Sequence, residues 1–186
     1  LMDNVEAYQG LSDYAWLLKN VLSQSAQSLV YAWRAAAMRS AIGQHLRLAS
    51  KTPGMYAWAT DQLTPSWNNW YPDSVAQAWP LKAALGTSKQ RSTLWATFEA
   101  SWPGWATTAS NPDGSPWCVL GYTAALLGDT AAADAFLENS QVTWVNAGRP
   151  WPYTIMDSAY RALTAETISA AASRLPTPSF DSTVAT

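Results

Sequence analysis

Val5, Tyr8, Leu11, Ala15, Leu18 and Leu22 recur every three or four residues, the spacing that gathers apolar side chains on one face of an α-helix. A second helix is expected from about Gln27 to Ala49, where Leu29, Trp33, Ala36, Ile42 and Leu46 keep the same period and Pro53-Gly54 ends it. The two read as a helical hairpin. Residues 55–70 break the pattern: Met55, Ala57 and Ala59 alternate with Tyr56, Trp58 and Thr60 before a Pro-, Ser- and Asn-rich passage. This predicts a loop with one short extended piece.

Proline then marks a repeat. Pro72, Pro116 and Pro152 each stand beside an aromatic residue (Tyr71, Trp117, Trp151 and Tyr153), and each opens an apolar, Ala-rich segment. Such a position suits the first helical turn, where the missing N–H costs nothing. The first segment is expected to reach Gly86, with Pro80 kinking it by withholding a donor from the carbonyl of Ala76, and the second to run from Pro116 to Gly128. Partner helices are predicted from Ser88 to Ser101 and from Asp129 to about Trp144, with Ser88 and Asp129 as N-caps. The third segment, Pro152 to about Leu163, leads into an Ala/Ser-rich continuation to Arg174. The pattern is all-α, with three helical hairpins and a final helix, about seven to eight helices in all. Hairpins that bury one face each must stack on one another. One domain over residues 1–175 is expected, followed by a Pro/Ser/Thr-rich tail over 176–186 with too little apolar content to pack.

Composition narrows the function. In 186 residues, 13% are charged and 48% hydrophobic, so the chain must bury a large core. The net charge of −2 comes without a basic cluster, which disfavours nucleic acid and anionic membranes as partners. No run approaches the ~18 apolar residues of a membrane span. One Cys and one His supply neither a disulfide framework nor a structural zinc site, so no metal is expected. GxGxxG, GxxxxGK[ST] and HExxH are absent, and no cofactor is expected. The chain opens at Leu1 directly on a helical pattern, which reads as a fragment or a processed chain and leaves localisation open. The aromatic content of 12 Trp and 8 Tyr against 3 Phe favours rings with a polar handle, suited to a ligand groove as well as to interhelical packing.

Four stretches, LMDNVEAYQGLSDYAWL, WYPDSVAQAWPL, GSPWCVLGYTAALLGD and GRPWPYTIMDSAYRAL, each look like an inner helix reached from a Trp/Pro-rich loop and followed by an outer helix. In this the chain resembles the six-hairpin glycosidase-like proteins, whose (α/α)6 toroid sets six inner helices around a central cleft. The resemblance implies an α/α toroid of which this chain is the C-terminal half. It also implies a partner that completes the barrel, either an N-terminal half or a second copy of the chain. The implied ligand is a carbohydrate, and a polysaccharide substrate favours an extracellular or periplasmic setting.

Serine- and cysteine-based hydrolysis needs an imidazole base, and only His45 is available, on a helix that reads as solvated. Carboxylates remain. Glycoside hydrolysis needs two of them across a cleft, one protonated and one ionised. Asp3 and Glu6 stand three residues apart on the first helix, with Asp13 seven further on, in one acidic stripe. Asp73 follows Trp70, Tyr71 and Pro72, with Gln77 one turn later. Asp157 follows Arg149, Trp151 and Tyr153. The catalytic candidates are therefore Asp3, Glu6, Asp73 and Asp157. Trp67, Trp70, Tyr71, Gln77, Arg149, Trp151 and Tyr153 are expected to line a shared groove, since rings cover the C–H face of a pyranose while amides and charged groups bond its hydroxyls. The same acids equally suit first-turn positions favoured by the helix dipole, and Arg149 could pair with Asp157 or bind an acidic sugar. Asn68-Asn69 and Asn111-Pro112-Asp113-Gly114 are turn-forming loops, in which Asp113 reads as the turn residue. A non-catalytic saccharide-binding or scaffold domain is the alternative function. A terpenoid-cyclase-like barrel is a third reading, opposed by the lack of an Asp-rich motif.

Overall fold

A computed structural model of the chain describes residues 1–50, 54–107 and 112–173. Pro53, Asn111, Arg174 and the 176–186 tail lie outside the described residues. Among the described residues there are seven α-helices and no β-strand: α1 (Met2–Asn20), α2 (Ser25–His45), α3 (Ala78–Lys82), α4 (Ser88–Ser101), α5 (Val119–Leu127), α6 (Thr130–Ser140) and α7 (Ile155–Ala172). A π-helical turn at Trp70–Ser74 and a 3-10 turn at Val75–Gln77 lead into α3, and a second π-helical turn, Gln141–Val145, extends α6. The expected extended piece is a single antiparallel bridge between Arg47 and Tyr56. No helix among the described residues is long and apolar enough to cross a membrane.

The hairpin of α1 and α2 forms as its spacing predicts, with Ile42 and Leu46 buried as expected, but the first half of α2 is turned away from the expected face. Its buried residues are Ser28, Ala35 and Ile42, while Leu29 and Trp33 are 72% and 71% exposed. Small residues explain the rotation. Ser28 lies close enough to α1 for its hydroxyl to donate to the carbonyl of Ala15 at 2.7 Å, an approach that a Leu or Trp at the contact would prevent. Beyond the hairpin the odd-numbered helices touch in succession, α1 on α3, α3 on α5 and α5 on α7, with α6 packed behind α5 and α7.

The proline rule holds at one position of three. Tyr71 is extended (φ −121°, ψ 135°), as the residue before a proline tends to be, and the helical passage starts at Pro72. Pro116 and Pro152 instead precede the N-caps Cys118 and Thr154. For α7 the reason is a capping box: Thr154 accepts from the backbone of Asp157 and the Asp157 carboxylate accepts from the backbone of Thr154, which fixes the start of the helix beyond the proline. Thr87, not Ser88, caps α4, because it makes the same reciprocal pair with Gln90. Asp129 caps α6 as predicted, accepting from Ala132 N–H. α3 ends at Lys82, ahead of the predicted Gly86, since Ala84 already adopts φ 53° and turns the chain.

The core is aromatic. Trp95 stacks on Phe98 at 5.1 Å, Trp105 meets Trp95 edge-on at 5.4 Å and stacks on Phe136 at 5.7 Å, and Trp70 packs on Trp102 at 5.2 Å. α5 and α6 approach closely enough that a Cβ at Gly121 would lie 2.5 Å from Cδ1 of Phe136.

Candidate functional site

Groups from α1, α3, α5 and α7, with the loops before α3 and α5, form one connected cluster. Tyr71 stacks on Trp117 at 4.8 Å between centroids and 25° between planes. Trp117 meets Trp79 edge-on at 6.3 Å. The Trp79 indole N–H donates to Oε1 of Glu6 at 2.8 Å. One turn along α3 from Trp79, Lys82 donates to Oε1 of Gln9 on α1 and sits over the ring of Tyr160 on α7, 5.6 Å from its centroid. Tyr160 in turn lies 5.8 Å from Tyr122 on α5. Glu6, Asp13 and Tyr71 are exposed, while Gln9, Lys82, Trp117, Tyr122 and Tyr160 are half-buried, so the cluster faces solvent.

Asp113 holds the aromatic end in place. Its Oδ1 and Oδ2 accept from the Trp117 indole at 3.1 and 2.8 Å, and Oδ1 also accepts from Trp70 at 3.2 Å and from Ser115 N–H at 3.1 Å. The turn residue expected at this position is therefore also the acceptor that orients two rings. Trp117 is held at φ 43°, a backbone state few non-glycine residues adopt.

The electrostatics of the cluster are those of partly desolvated groups. Burial lowers the pKa of Lys82, opposed by the charges of Glu6 and Asp13. Burial pushes the Tyr160 phenol up to about 12, aided by Glu6, and raises Tyr122, aided by Glu166 and Asp13. Both phenols are thus neutral hydrogen-bonding groups at neutral pH. Cys118 is buried, and desolvation followed by the charge of Asp157 pushes its thiol up, which disqualifies it as a thiolate nucleophile.

The candidates chosen from sequence fall into three groups. Glu6 belongs to the cluster, as does Tyr71; Asp3 is exposed on α1. Asp73, Asp157 and Gln77 are buried and occupied. Oδ2 of Asp73 accepts from Ser66 N–H at 3.0 Å and from the Asn69 amide at 3.2 Å, closing the loop before α3. Asp157 uses Oδ2 for Thr154 and Oδ1 for Cys118 N–H at 3.3 Å, tying the start of α7 to that of α5. These bonds occupy the carboxylate for which pairing with Arg149 was one expectation. Gln77 exchanges two bonds with the backbone of Tyr56, at 2.8 and 2.9 Å, and donates to Asp73 C=O at 2.8 Å.

The rings expected to share one groove are dispersed. Trp70 is in the core because its ring packs on Phe98 and Trp102 while Asp113 satisfies its N–H. Trp67 is half-buried against the same core. Tyr153 stacks on Trp144 at 6.3 Å and lines, with Arg149, a separate groove between α6 and α7. Trp151 projects 86% exposed. Trp79, Lys82, Tyr122 and Tyr160 were not singled out from the sequence, although a signal existed. Trp79, Tyr122 and Tyr160 stand six to eight residues beyond Pro72, Pro116 and Pro152, two helical turns past each proline-marked loop.

Among the described residues no group of three or more His, Cys, Asp or Glu is placed to hold a metal ion. Comparisons with known protein families, with curated proteins and with solved structures find no match.

Proposed function

We propose that the chain forms one wall of a saccharide-processing cleft, with pyranose rings laid against Tyr71 and Trp117 and Glu6 supplying carboxylate acid/base chemistry. The observation that carries this reading is the continuous path from the Tyr71–Trp117 stack through Trp79 to Glu6. A stacked pair offers an apolar face to sugar C–H groups. Glu6, Asp13, Lys82 and the two phenols provide the acceptors and donors that hydroxyl groups need. The succession of odd-numbered helices fits an arc of an α/α toroid, and the resemblance to six-hairpin glycosidases adds a reaction, glycoside hydrolysis by two carboxyl groups.

A non-catalytic saccharide-binding wall is the second reading. It is favoured by the full occupation of Asp73 and Asp157, which removes two of the four carboxylates from chemistry. Turnover and binding measured together over a panel of neutral polysaccharides separate the two. Glu6→Gln abolishing turnover while leaving binding within a few-fold supports the enzyme. Binding without turnover in the wild-type chain supports the binding wall. Neither binding nor turnover on any polysaccharide overturns both.

A further inference from the structure

Folding gathers cations that the sequence scatters. Ala36, Arg39, Gly43 and Arg47 recur along one face of α2 and its continuation, and with Tyr56 and the α3–α4 turn at Leu85 and Gly86 they line an open pocket of about 420 Å³. The lining contains no Asp or Glu. Arg91 lies with Arg47 and Tyr56 on an adjoining hollow and Lys89 with Arg47 on a second, so four of the chain's 11 Lys and Arg surround this surface. The guanidinium of Arg91 is committed to the carbonyls of Ala84 and Gly86 and to Ser88, closing the turn. Those of Arg39 and Arg47 make no hydrogen bond or ion pair among the described residues.

Tyr56 completes the pocket and is held rigidly. It stands opposite Arg47 in the antiparallel bridge, where the flanking bonds run from Leu48 N–H to Met55 C=O and from Ala57 N–H to Leu46 C=O. That arrangement brings the two side chains close together on one face. The buried amide of Gln77 exchanges bonds with both the N–H and the C=O of Tyr56, at 2.8 and 2.9 Å, which fixes its backbone. Tyr56 is 4% exposed, yet its hydroxyl has no hydrogen-bond partner among the described residues. The hydroxyl is not enclosed, since among the described residues only the indoles of Trp67 and Trp102 are both enclosed and unpartnered. It lies beside Gly86, 3.7 Å from where a Cβ would stand, and opens to the pocket. Burial raises the Tyr56 pKa, opposed by the charges of Arg47, Arg39 and Arg91, so the phenol is a donor at neutral pH.

We propose that this pocket binds a small phosphate monoester, its dianion held by the guanidinium groups of Arg39 and Arg47 and by the Tyr56 hydroxyl. Charge, donors and space each favour that ligand. Two uncompensated guanidinium groups match a dianion, whereas a carboxylate or a sulfate ester brings a single negative charge. Two guanidinium forks already fill the roughly four acceptor positions of a carboxylate, while the three terminal oxygens of a phosphate leave one for the phenol. The volume falls in the range of small-molecule sites and exceeds what a bare phosphate ion fills. The remaining wall pairs apolar Ala36 and Leu85 with Ser40 and Gln44, a mixture suited to a small organic group that carries hydroxyls. Ser40 accepts from the Gln44 amide at 3.1 Å, which leaves its own O–H to donate. None of these residues belongs to the Glu6–Trp79 cluster, and the site is independent of the saccharide reading.

Isothermal titration calorimetry of the full chain at about pH 7.5, in a low-salt buffer without phosphate, tests this with glucose 6-phosphate as the probe. The expected Kd is below about 1 mM. Inorganic phosphate is expected to bind more weakly, acetate at least about tenfold more weakly, and glucose, the same organic group without the phosphate, not at all in this range. Arg39→Gln, Arg47→Gln and Tyr56→Phe are each expected to weaken glucose 6-phosphate binding about tenfold. Arg34→Gln removes the same charge from an exposed position of α2 outside the pocket and is expected to leave binding within twofold of wild type, about the uncertainty of such a comparison. Gly43→Leu keeps every charge and improves helix propensity, and a Cβ there meets nothing within 4 Å, so the variant folds while its side chain occupies the pocket. It is expected to weaken binding at least about tenfold. Circular dichroism checks that each variant keeps its helicity. No binding of glucose 6-phosphate, acetate or glucose binding equally well, or Arg34→Gln losing as much as Arg39→Gln would each overturn the proposal. So would a Gly43→Leu variant that binds like wild type, which would reduce the site to surface charge, and inorganic phosphate binding as tightly as the ester, which would remove the organic group from the ligand.

Discussion

The Trp79 indole N–H donates to Oε1 of Glu6 at 2.8 Å, joining residues 73 positions apart. Trp79 is buried and Glu6 exposed, so a rigid core group orients a carboxylate at the surface. Glu6→Gln keeps an acceptor for the indole and removes the ionisable group. Its melting temperature is expected to stay within a few degrees of wild type, while turnover falls by about 100-fold or more if Glu6 is the acid or base. Trp79→Phe keeps an aromatic ring but removes both the donor and part of the buried indole, and is expected to cost about 1–3 kcal/mol of stability by denaturant unfolding. A Glu6→Gln variant that loses several kcal/mol would make Glu6 a structural residue.

The Tyr71–Trp117 stack makes a separate prediction about affinity. Trp117→Ala removes the ring on which Tyr71 lies and is expected to weaken polysaccharide binding about tenfold, or ~1.4 kcal/mol, by titration calorimetry. Asp113→Ala frees the N–H groups of both Trp70 and Trp117. It is expected to lower stability by about 1–3 kcal/mol in addition, since one of those indoles is in the core. Trp151→Ala, at a projecting ring that is not part of the stack, is expected to leave binding unchanged in the same experiment.

What the sequence revealed follows the type of signal. Apolar periodicity located the helices, because burial depends on spacing along one element. Asp129 and Gly128 were legible as punctuation because a cap acts over a few residues. The rotation of α2 was not legible: Leu29 and Trp33 have the right period, and Ser28 and Ala35 are buried only because small side chains let α1 come close. The candidate cluster was legible at Glu6 and Tyr71 and obscure elsewhere for a similar reason. Three of the buried tryptophans, Trp70, Trp79 and Trp95, donate their N–H groups to Asp113, Glu6 and Asp129. Each pair spans at least 34 positions, and spacing within one helix carries no trace of it. The preference for Trp over Phe signalled that such acceptors exist, but not which acids they are.

Gly121 is the tightest point of the α5–α6 contact. Its φ is ordinary, so the constraint is space alone, and an added methyl would meet Cδ1 of Phe136 at 2.5 Å. Gly121→Ala is expected to cost about 1–3 kcal/mol despite the better helix propensity of alanine, read as a lower denaturant midpoint. Combining it with Phe136→Leu, which vacates the ring position, is expected to recover part of the loss relative to the sum of the single variants. An additive result would show that the two side chains do not compete for the same volume.

Glu99 on α4 and Asp129 at the start of α6 form a carboxyl pair that makes stability depend on pH. Burial, a hydrogen bond to Asp129 and the charge of Asp129 raise the Glu99 pKa from 4.5 to about 7. Asp129 is already committed as an acceptor, to Ala132 N–H through Oδ1 and to the Trp95 indole through Oδ2, so Glu99 supplies the shared proton. Because the folded pKa lies above the unfolded one, the folded state holds this proton more tightly. The associated stability is fully present below about pH 4.5 and is lost as pH rises through about 7. Glu99 is only half-buried, so the effect is modest and screened by salt. Thermal melts between pH 4 and 8 are expected to show a decline that runs between about pH 4.5 and pH 7 and levels off above it in the wild type, and its absence in Glu99→Gln, which keeps a donor for Asp129 without a titrating proton. A decline that persists unchanged in Glu99→Gln would assign it to another group.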